Sequence, residues 1–471
     1  MRSSRWCAVV LLGSLAVAAC SRSATSHSPT VSSAQAALSA ATAGTATTVA
    51  NQCANAQLQA TDVGVTPTTI TIEVMADAQP PQAPGLFQGN IDAINAFAAY
   101  VNTHGGLACR RVLVRSWDSK LDPIEAKNGQ IDSCRNALAM VGTLALVNPD
   151  ITTLNTCPNR SGEHIGLPDI AAATADVNEQ CGATVFSVYG VGRTCPLAQG
   201  TQTYTENVGF ARWAASNGAG LHGLYLVGGD SPSTIEVGVQ EFLAMQKVGI
   251  TWDATPKVTG TDTQSDYTPR VLVARAKGST IVYNGANDVA MVRMRKEADA
   301  QGGLSAVKFW ACTFGCYTNA FLAQGGSEVE GTYIWMGFLP FEEAGYNAEE
   351  QRYVDAVGPS KVDSFGADGW MAAVAFEDAV NAIVARDGPN ALTRANLLTA
   401  LTGMTQFDAH GWLGEKPLHG GPSLSPCFLV MQVQHGKFVR VYPTKPGTMD
   451  CSPANLTTIT VDVSTVGASL K

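Results

Sequence analysis

The sequence predicts an α/β protein with two Rossmann-like lobes, each built on a parallel sheet. Short apolar, β-rich runs alternate with stretches long enough for a helix, which is the rhythm of parallel strands covered by helices. The number of such runs suggests two sheets. About 410 residues remain beyond the N-terminal segment, too many for one compact core and enough for two.

The first strand and helix show the pattern most clearly. Ile70, Ile72 and Val74 alternate as a strand does, and apolar residues then recur at helical spacing from Ile91 to Val101. The glycine pair at 105 and 106 ends this helix. Further strands are predicted at 112–114, 139–141, 170–173, 185–188, 224–227, 281–283, 307–310 and 333–336.

Late in the chain the rhythm changes. A long helical pattern covers 368–385 and a second covers 393–404. Two β-rich runs follow at 428–434 and 438–442, and His435-Gly436 between them is typical of a hairpin turn. The sequence therefore predicts that an antiparallel hairpin follows the last helices.

The N-terminus indicates export. Arg2 and Arg5 precede an apolar run over 8–19, which has the form of a secretory signal and is shorter than the roughly 18 apolar residues of a membrane-spanning helix. Val17-Ala18-Ala19-Cys20 resembles the lipobox of bacterial lipoproteins. That resemblance implies a signal peptide over 1–19 and a lipid on Cys20. The alternative is an ordinary signal peptide that happens to end before a cysteine.

Residues 20–60 are predicted to be a tether between the lipidated cysteine and the folded part. From 21 to 52 the chain is almost wholly Ser, Thr, Ala and Gly, with too few large apolar groups to offset backbone entropy. The net charge of −9 does not favour a polyanionic partner, so the sequence does not predict nucleic-acid binding.

Cysteine usage predicts disulfides. Of 12 cysteines, Cys7 leaves with the signal and Cys20 carries lipid, so the remaining count is even, as expected for an oxidising compartment. No C-x-x-C or paired-histidine spacing points to a metal, and no cofactor is predicted. Local order predicts three pairs and leaves Cys53, Cys157, Cys181 and Cys195 to pair among themselves; the predicted pairs are Cys109 with Cys134, Cys312 with Cys316, and Cys427 with Cys451.

Several short sequence segments, taken in their order along the chain, resemble those of a known family. They include 66–70, 101–106, 111–114, 118–123, 140–142, 242–249 and 328–333, followed by the helix that contains Gly369-Trp370. In this order they resemble the solute-binding proteins of branched-chain amino-acid type ABC transporters, which have the type 1 periplasmic-binding-protein fold. The resemblance spans nearly all of 66–445.

The resemblance implies two lobes that are joined by a three-segment hinge and close around a ligand. Lobe 1 is expected from 66–196 and 337–410, lobe 2 from 197–336 and 411–450, and a C-terminal tail from 451–471. In such sheets, ligands gather at the carboxyl ends of strands, where free backbone N–H groups suit a carboxylate.

In lobe 1 the resemblance places ligand-binding residues in three loops. Asp77 follows the first strand and is predicted to face the ligand. A carboxylate in a solvent-exposed loop is an equally good interpretation of this residue. After the third strand come Gly142, Thr143 and Leu144, and after the fourth come Ala173 and Thr174. Thr174 is the first choice among these candidates.

In lobe 2 the predicted ligand-binding residues are Ser233, Asn284, Asn287, Phe314 and Trp335. Here the sequence departs from the family, because the loop over 311–316 has no carboxylate where amino-acid binders keep one for the ligand's ammonium group. The ligand therefore either lacks an α-ammonium or pairs it with Asp77 or Asp230. Phe314 and Trp335 are expected to form an apolar wall, or else plain core.

The function that follows is an extracytoplasmic, lipid-anchored solute-binding protein of an ABC importer. It is expected to be a monomer that catalyses nothing and passes an amino acid, amide or carboxylate to a membrane permease. One alternative is a sensory receptor module of the same fold. The other is an extracytoplasmic hydrolase, which the lack of G-x-S-x-G, S-x-x-K and H-E-x-x-H motifs disfavours.

Overall fold

The computed structural model describes residue 53 and residues 56–81, 83–190, 192–197, 200–462 and 470. The predicted signal peptide, Cys20 and most of the predicted tether lie outside these residues. Within the described part of the chain, no helix is both long and apolar enough to cross a membrane.

Five strands form the first sheet, and each is parallel to its neighbours in the order β2-β1-β3-β4-β5. Ile72 in the middle of β1 lies opposite Val114 on one side and Ala139 on the other. The strands are β1 (Thr69–Ala76), β2 (Arg111–Asp118), β3 (Ala139–Thr143), β4 (Asp169–Ala173) and β5 (Val185–Tyr189).

Helices cover both faces of this sheet. Because side chains alternate along β1, Val74 packs in the core that includes α1 (Gln88–Thr103), whereas Met75 packs with α2 (Pro123–Asn136) on the other face. The carboxylate of Asp122 starts α2 by accepting hydrogen bonds from two backbone N–H groups. Short helices α3 (Thr152–Thr156) and α4 (Val177–Gln180) precede β4 and β5.

The second sheet has the order β14-β13-β12-β11-β10-β7-β8, and β9 also pairs with β7. Its strands are parallel except at one edge, where β13 and β14 run antiparallel. The members are β7 (His222–Gly228), β8 (Thr251–Ala254), β9 (Lys257–Val258), β10 (Ile281–Asn284), β11 (Phe309–Cys312), β12 (Tyr333–Met336), β13 (Leu429–Gln434) and β14 (Lys437–Tyr442).

Side-chain caps start the two helices of the second sheet that reach the site described below. The Ser231 hydroxyl accepts a hydrogen bond from the Thr234 N–H at 3.1 Å, and Asn287 accepts one from Ala290 at 3.0 Å. These caps begin α6 and α8. The helices of this part are α5 (Gly209–Asn217), α6 (Pro232–Lys247), α7 (Thr268–Lys277), α8 (Asp288–Ala300) and α9 (Asn319–Gly325).

Three later helices return to the first sheet. They are α10 (Ala348–Val357), α11 (Ser364–Asp387) and α12 (Arg394–Thr402). On α11, Trp370 is fully buried, and its ring meets Phe97 of α1 edge-on with ring centroids 5.3 Å apart. The long apolar face of α11 thus completes the core of the first lobe.

Hydrogen bonds join the three segments that cross between the sheets, after β5, after β12 and before β13. The Asn207 amide in the first crossing donates to the carbonyls of Ser425 and Cys427 in the third, at 3.0 and 3.1 Å. The Gly414 N–H in the third donates to Gly337 in the second at 3.0 Å. The two lobes therefore share a hinge of three adjacent segments, and the predicted fold class is confirmed.

Two strands were not expected from the sequence. β6 (Thr201–Asn207) lies in the first crossing and pairs antiparallel with β15 (Leu456–Asp462). The region predicted as a C-terminal tail thus contains a strand that lies against the hinge. Its pairing partner is about 250 residues away in sequence, so local patterning does not reveal it.

Five disulfides join described residues, and two predictions were wrong. Of the four cysteines expected to pair among themselves, only Cys181 and Cys195 do so, whereas Cys53 and Cys157 bond cysteines outside that set. Cys312–Cys316 and Cys427–Cys451 pair as predicted, whereas Cys109 does not bond Cys134. The residues before Cys109 pack in the core on the α1 face of the first sheet, and Cys134 packs with Met75 on the opposite face. The remaining pairs are Cys53–Cys109, Cys134–Cys157 and Cys181–Cys195.

A buried arginine holds together the end of the first sheet that lies away from the hinge. Arg394 is fully buried, and its guanidinium donates to the carbonyls of Cys134, Ala137, Leu138 and Pro158 at 2.5 to 3.2 Å. A planar group with five donors can satisfy several carbonyls that converge from different segments. These contacts link α12 to the strands and loops beside it.

We expect Arg394→Ala to lower the free energy of unfolding by about 3–5 kcal/mol, because it leaves several buried carbonyls without donors. The matched control is Arg386→Ala on α11, whose side chain is 57% exposed and should cost at most about 1 kcal/mol. Urea denaturation followed by circular dichroism measures both. Equal losses in the two variants would contradict this role for Arg394.

Candidate functional site

A cavity of about 270 Å³ lies between the two lobes, where the strands of both sheets end. The first lobe contributes residues from the loops after β1, β3 and β4 and from the end of β5. The second contributes residues from α6 and from the loops after β7, β10 and β11. Carboxyl ends of parallel strands from both sheets therefore face one shared, partly open space.

Six of the predicted ligand-binding residues line this cavity. From the first lobe they are Leu144, Ala173 and Thr174, and from the second they are Asn287, Phe314 and Trp335. The Thr174 hydroxyl donates a hydrogen bond to the Ser187 hydroxyl of the neighbouring strand, at 3.4 Å. Asn287 has a second task, because its side chain caps α8.

Asp77 does not line the cavity. Its carboxylate is buried and accepts hydrogen bonds from the Ser119 hydroxyl at 2.7 Å and from the backbone N–H groups of Leu121 at 2.6 Å and Leu146 at 2.8 Å. Burial raises the pKa of this carboxyl, and the three donors oppose that rise. Asp77 thus ties together loops whose neighbouring residues form the wall.

Gly142 and Thr143 also stay behind the wall. Gly142 has a positive φ of 80°, and any Cβ there would lie 2.9 Å from the Ile94 side chain, so only glycine fits. The Thr143 hydroxyl donates to Asp169 at 2.6 Å inside the sheet. This turn brings Leu144, the next residue, to the cavity surface.

Two predicted residues of the second lobe have contacts elsewhere. The Ser233 hydroxyl donates to the Asp176 carboxylate at 3.1 Å, a bond that links the second lobe to the first beside the cavity. The Asn284 amide is fully buried and donates to the Asn287 carbonyl at 2.8 Å. Asn284 therefore shapes the loop after β10 and leaves Asn287 to line the cavity.

Aromatic rings form a row across the cavity wall. Phe314 of the second lobe lies 4.8 Å from Tyr189 and 5.7 Å from Phe365, measured between ring centroids, and Phe365 meets Phe87 at 4.8 Å. Leucines, valine and alanines line much of the rest. The wall is thus largely apolar, which suits the apolar body of a small solute.

Two glutamates that the sequence reading missed also line the cavity. Glu241 on α6 accepts hydrogen bonds from the hydroxyls of Tyr225 and Tyr283, the latter at 2.5 Å, and Trp335 donates to the Tyr283 hydroxyl at 2.6 Å. Glu206 on β6 also lines the cavity, and no hydrogen bond or ion pair links its carboxyl to another described residue.

Desolvation raises the pKa values of both acids. The pKa of Glu206 is raised from 4.5 to about 8, mainly by desolvation and then by the charge of Glu241. Burial also raises the pKa of Glu241, and its two tyrosine donors oppose the rise. Among the described residues that line the cavity, Asp230 is a third acid and none is Lys, Arg or His.

Two sequence signals point to these glutamates in retrospect. Threonines at 201, 203 and 205 alternate with Gln202, Tyr204 and Glu206, which is the period of a strand. On α6, Val237, Gln240 and Glu241 have the spacing of one helix face, and all three line the cavity. Neither signal shows that the two elements meet.

No group of three metal-ligating side chains occurs among the residues that the structure describes. The polar groups of the cavity are carboxylates, amides and hydroxyls. Such a set can orient an organic solute by hydrogen bonds while the apolar wall buries its body.

The chain belongs to the periplasmic binding protein family, whose model matches residues 81–437. This match confirms the predicted resemblance and, together with the two parallel sheets, the type 1 fold. Proteins of this family bind small solutes outside the cytoplasm and generally are not enzymes. No protein of curated function matches the chain significantly.

Solved structures with the same fold are distant in sequence. A fatty acid ABC transporter substrate-binding protein from Thermomonospora curvata is 17% identical, with a TM-score of 0.62, and the match covers 82% of this chain and 97% of that one. A leucine-binding protein from Thermotoga maritima is 15% identical, with a TM-score of 0.58, covering 79% and 97%. An ABC transporter substrate-binding protein from Aeropyrum pernix is 12% identical, with a TM-score of 0.62, covering 82% and 97%. At these identities the likeness concerns the fold.

The raised pKa of Glu206 predicts a pH-dependent stability. Because the folded protein holds this proton up to about pH 8 whereas an unfolded glutamate releases it near 4.5, the folded state loses stability as pH rises between these values. We expect Glu206→Gln to be more stable than the parent protein, by a margin that grows from pH 5 to pH 8 and is constant above.

Urea denaturation of both proteins at a series of pH values measures this margin. Glu163→Gln, which removes an exposed carboxylate from the first lobe, is the matched control. A margin that is the same at pH 5 and pH 8 would be inconsistent with a Glu206 that is protonated in the folded protein.

Proposed function

We propose that this chain is the lipid-anchored solute-binding subunit of an ABC importer. It captures a small organic solute outside the cytoplasm, encloses it between the two lobes and delivers it to a membrane permease. It acts as a monomer and performs no chemistry on the solute. Amino acids, amides and carboxylates are the solute classes that the family resemblance suggests.

The partly open cavity between the lobes is the observation that carries this proposal. Its volume of about 270 Å³ lies just below the range of roughly 300–1,000 Å³ that is usual for drug-sized ligands, so a smaller solute suits it. Because both lobes contribute to the wall, a solute that contacts both stabilises the closed arrangement over an open one. This is the property that a transport receptor needs.

The proposed contacts combine predicted and newly found residues. Backbone and hydroxyl groups at Thr174 and Asn287 orient the solute, and Leu144, Ala173, Phe314 and Trp335 bury its apolar body. Glu206 and Glu241 provide the acidic end of the site. The family implies the permease partner, and the five disulfides suit an extracytoplasmic location.

We expect the purified protein to rise in melting temperature with its solute, because a ligand that binds only the folded state stabilises it. Thermal-shift screening of amino acids, amides, amines and carboxylates identifies the class. Val237→Trp places an indole at the half-exposed edge of the cavity and should weaken binding about tenfold or more by filling space.

The matched control for this experiment is Leu272→Trp on α7, which is 50% exposed and does not line the cavity. It should leave the affinity unchanged. If mass spectrometry of freshly denatured protein finds no released solute and the whole screen is silent, a transport receptor is the wrong assignment.

The lipid anchor is tested at Cys20. In a bacterial host that processes lipoproteins, the parent protein should fractionate with the membrane, and Cys20→Ala should not, because a single acylated cysteine is the proposed attachment. Immunoblotting of the fractions measures this, and mass spectrometry of the mature N-terminus detects the diacylglycerol. Recovery of the parent protein in the soluble fraction, with an unmodified cysteine, would contradict the anchor.

A further inference from the structure

We propose that the solute carries a basic nitrogen, which binds as a cation between Glu206 and Glu241 while the apolar body of the solute lies against the aromatic row. The inference rests on the proposed function, since it takes the cavity between the lobes to be the solute site. It adds the charge of the solute, which the family does not decide.

The first argument is the lack of a partner for Glu206. Its carboxyl lines a cavity with a mostly apolar wall, and no described residue forms a hydrogen bond or ion pair with it. A carboxyl in such a place costs free energy unless a charge or donor completes it. A solute cation supplies the missing partner.

The second argument is the sign of the charge around the cavity. Glu206, Glu241 and Asp230 are acids, and no basic side chain is found among the described lining residues. Arg193, which lies behind the lining residue Gln180, is paired with Glu236, and Arg293 and Lys361 line an adjoining cavity of about 510 Å³. A solute whose only charge is a carboxylate would therefore find no basic side chain in the wall to neutralise it, whereas a cation finds acids that can ionise beside it.

The third argument is the geometry of Glu241. Its two oxygens each accept a hydrogen bond from a buried tyrosine, and Trp335 in turn donates to one of these tyrosines. This chain of donors holds the carboxylate in one orientation at the cavity wall. An ammonium group, which has three donors, can then bridge Glu241 and Glu206.

Binding of a cation also changes the protonation of the site. Without a counter-charge Glu206 holds its proton at pH 7, since its pKa is about 8, and a bound cation favours the ionised form. The titratable groups around it are Glu241 on α6, Tyr189 at the end of β5, Tyr204 on β6 and Tyr225 on β7. Arg193 beside Tyr204 is paired with Glu236. An amine should therefore displace about one proton near pH 7.

The test uses the mature protein and three matched series of probes. The first series is the amines butylamine, hexylamine and phenylethylamine. The second and third series are the alcohols and the carboxylates that carry the same apolar groups. Isothermal titration calorimetry at pH 7 gives each affinity, and repetition in two buffers that differ in ionisation enthalpy and carry no primary amine, phosphate and MOPS, gives the number of protons released. We expect the amines to bind more tightly than the matched alcohols and the carboxylates to bind least.

The variants separate charge from structure. Glu206→Gln should weaken amine binding about tenfold or more and abolish the proton release, while it leaves alcohol binding unchanged. Glu163→Gln on the surface should change neither quantity. If Glu206 had only a structural role, Glu206→Gln would change the affinities of amines, alcohols and carboxylates by the same factor. It would not specifically abolish the proton release on amine binding.

Each outcome decides. If the carboxylates or alcohols bind and the amines do not, the inference fails and the proposed function stands. If no probe binds, mass spectrometry of the solute released on denaturation decides: a solute with a basic nitrogen supports the inference, and one without it overturns the inference alone. If no solute is released either, both the inference and the proposed function fail.

Discussion

The structure depends on the hydrogen bonds that hold the three crossing segments side by side. Asn207 joins the first crossing to the third, and Gly414 joins the third to the second. Three adjacent crossing segments permit rotation of the lobes about a common hinge axis. The same segments resist sliding or separation of the lobes. The carboxyl ends of the two sheets therefore lie opposite each other across the cavity.

The hinge also explains why acids can be buried in the cavity. Glu206 belongs to the first crossing, and β15 pairs along the length of its strand, so its position is held by a backbone ladder. Glu241 is held by tyrosines of two central strands of the second sheet. A carboxyl whose backbone cannot move away from an apolar cavity must keep its proton or find a counter-charge. The free-energy cost of placing a carboxyl in an apolar environment therefore falls at the cavity in which the solute is proposed to bind.

Strong local patterns predicted most of the fold. The alternation in β1, the helical period of α1, and the run that forms β12 each reflect burial against one adjacent layer, so they are legible without tertiary information. β11 begins two residues later than predicted, because pairing with β10 starts at Phe309. β6 and β15 were missed, because a two-stranded ribbon of threonines becomes a sheet only when two distant segments meet.

The sequence by itself determined the fold class, the family and the loops at the strand ends, because these follow from periodicity and from short phrases within single elements. Only the tertiary structure decided which loop residues reach the solute. It turned Asp77 inward to bond three neighbours, and it paired Cys109 with Cys53 because Cys134 lies on the other face of the sheet. It also brought Glu206 and Glu241 to one cavity. Contacts between residues that are distant in sequence depend on how the helices and sheets pack, and local sequence patterns do not indicate that packing.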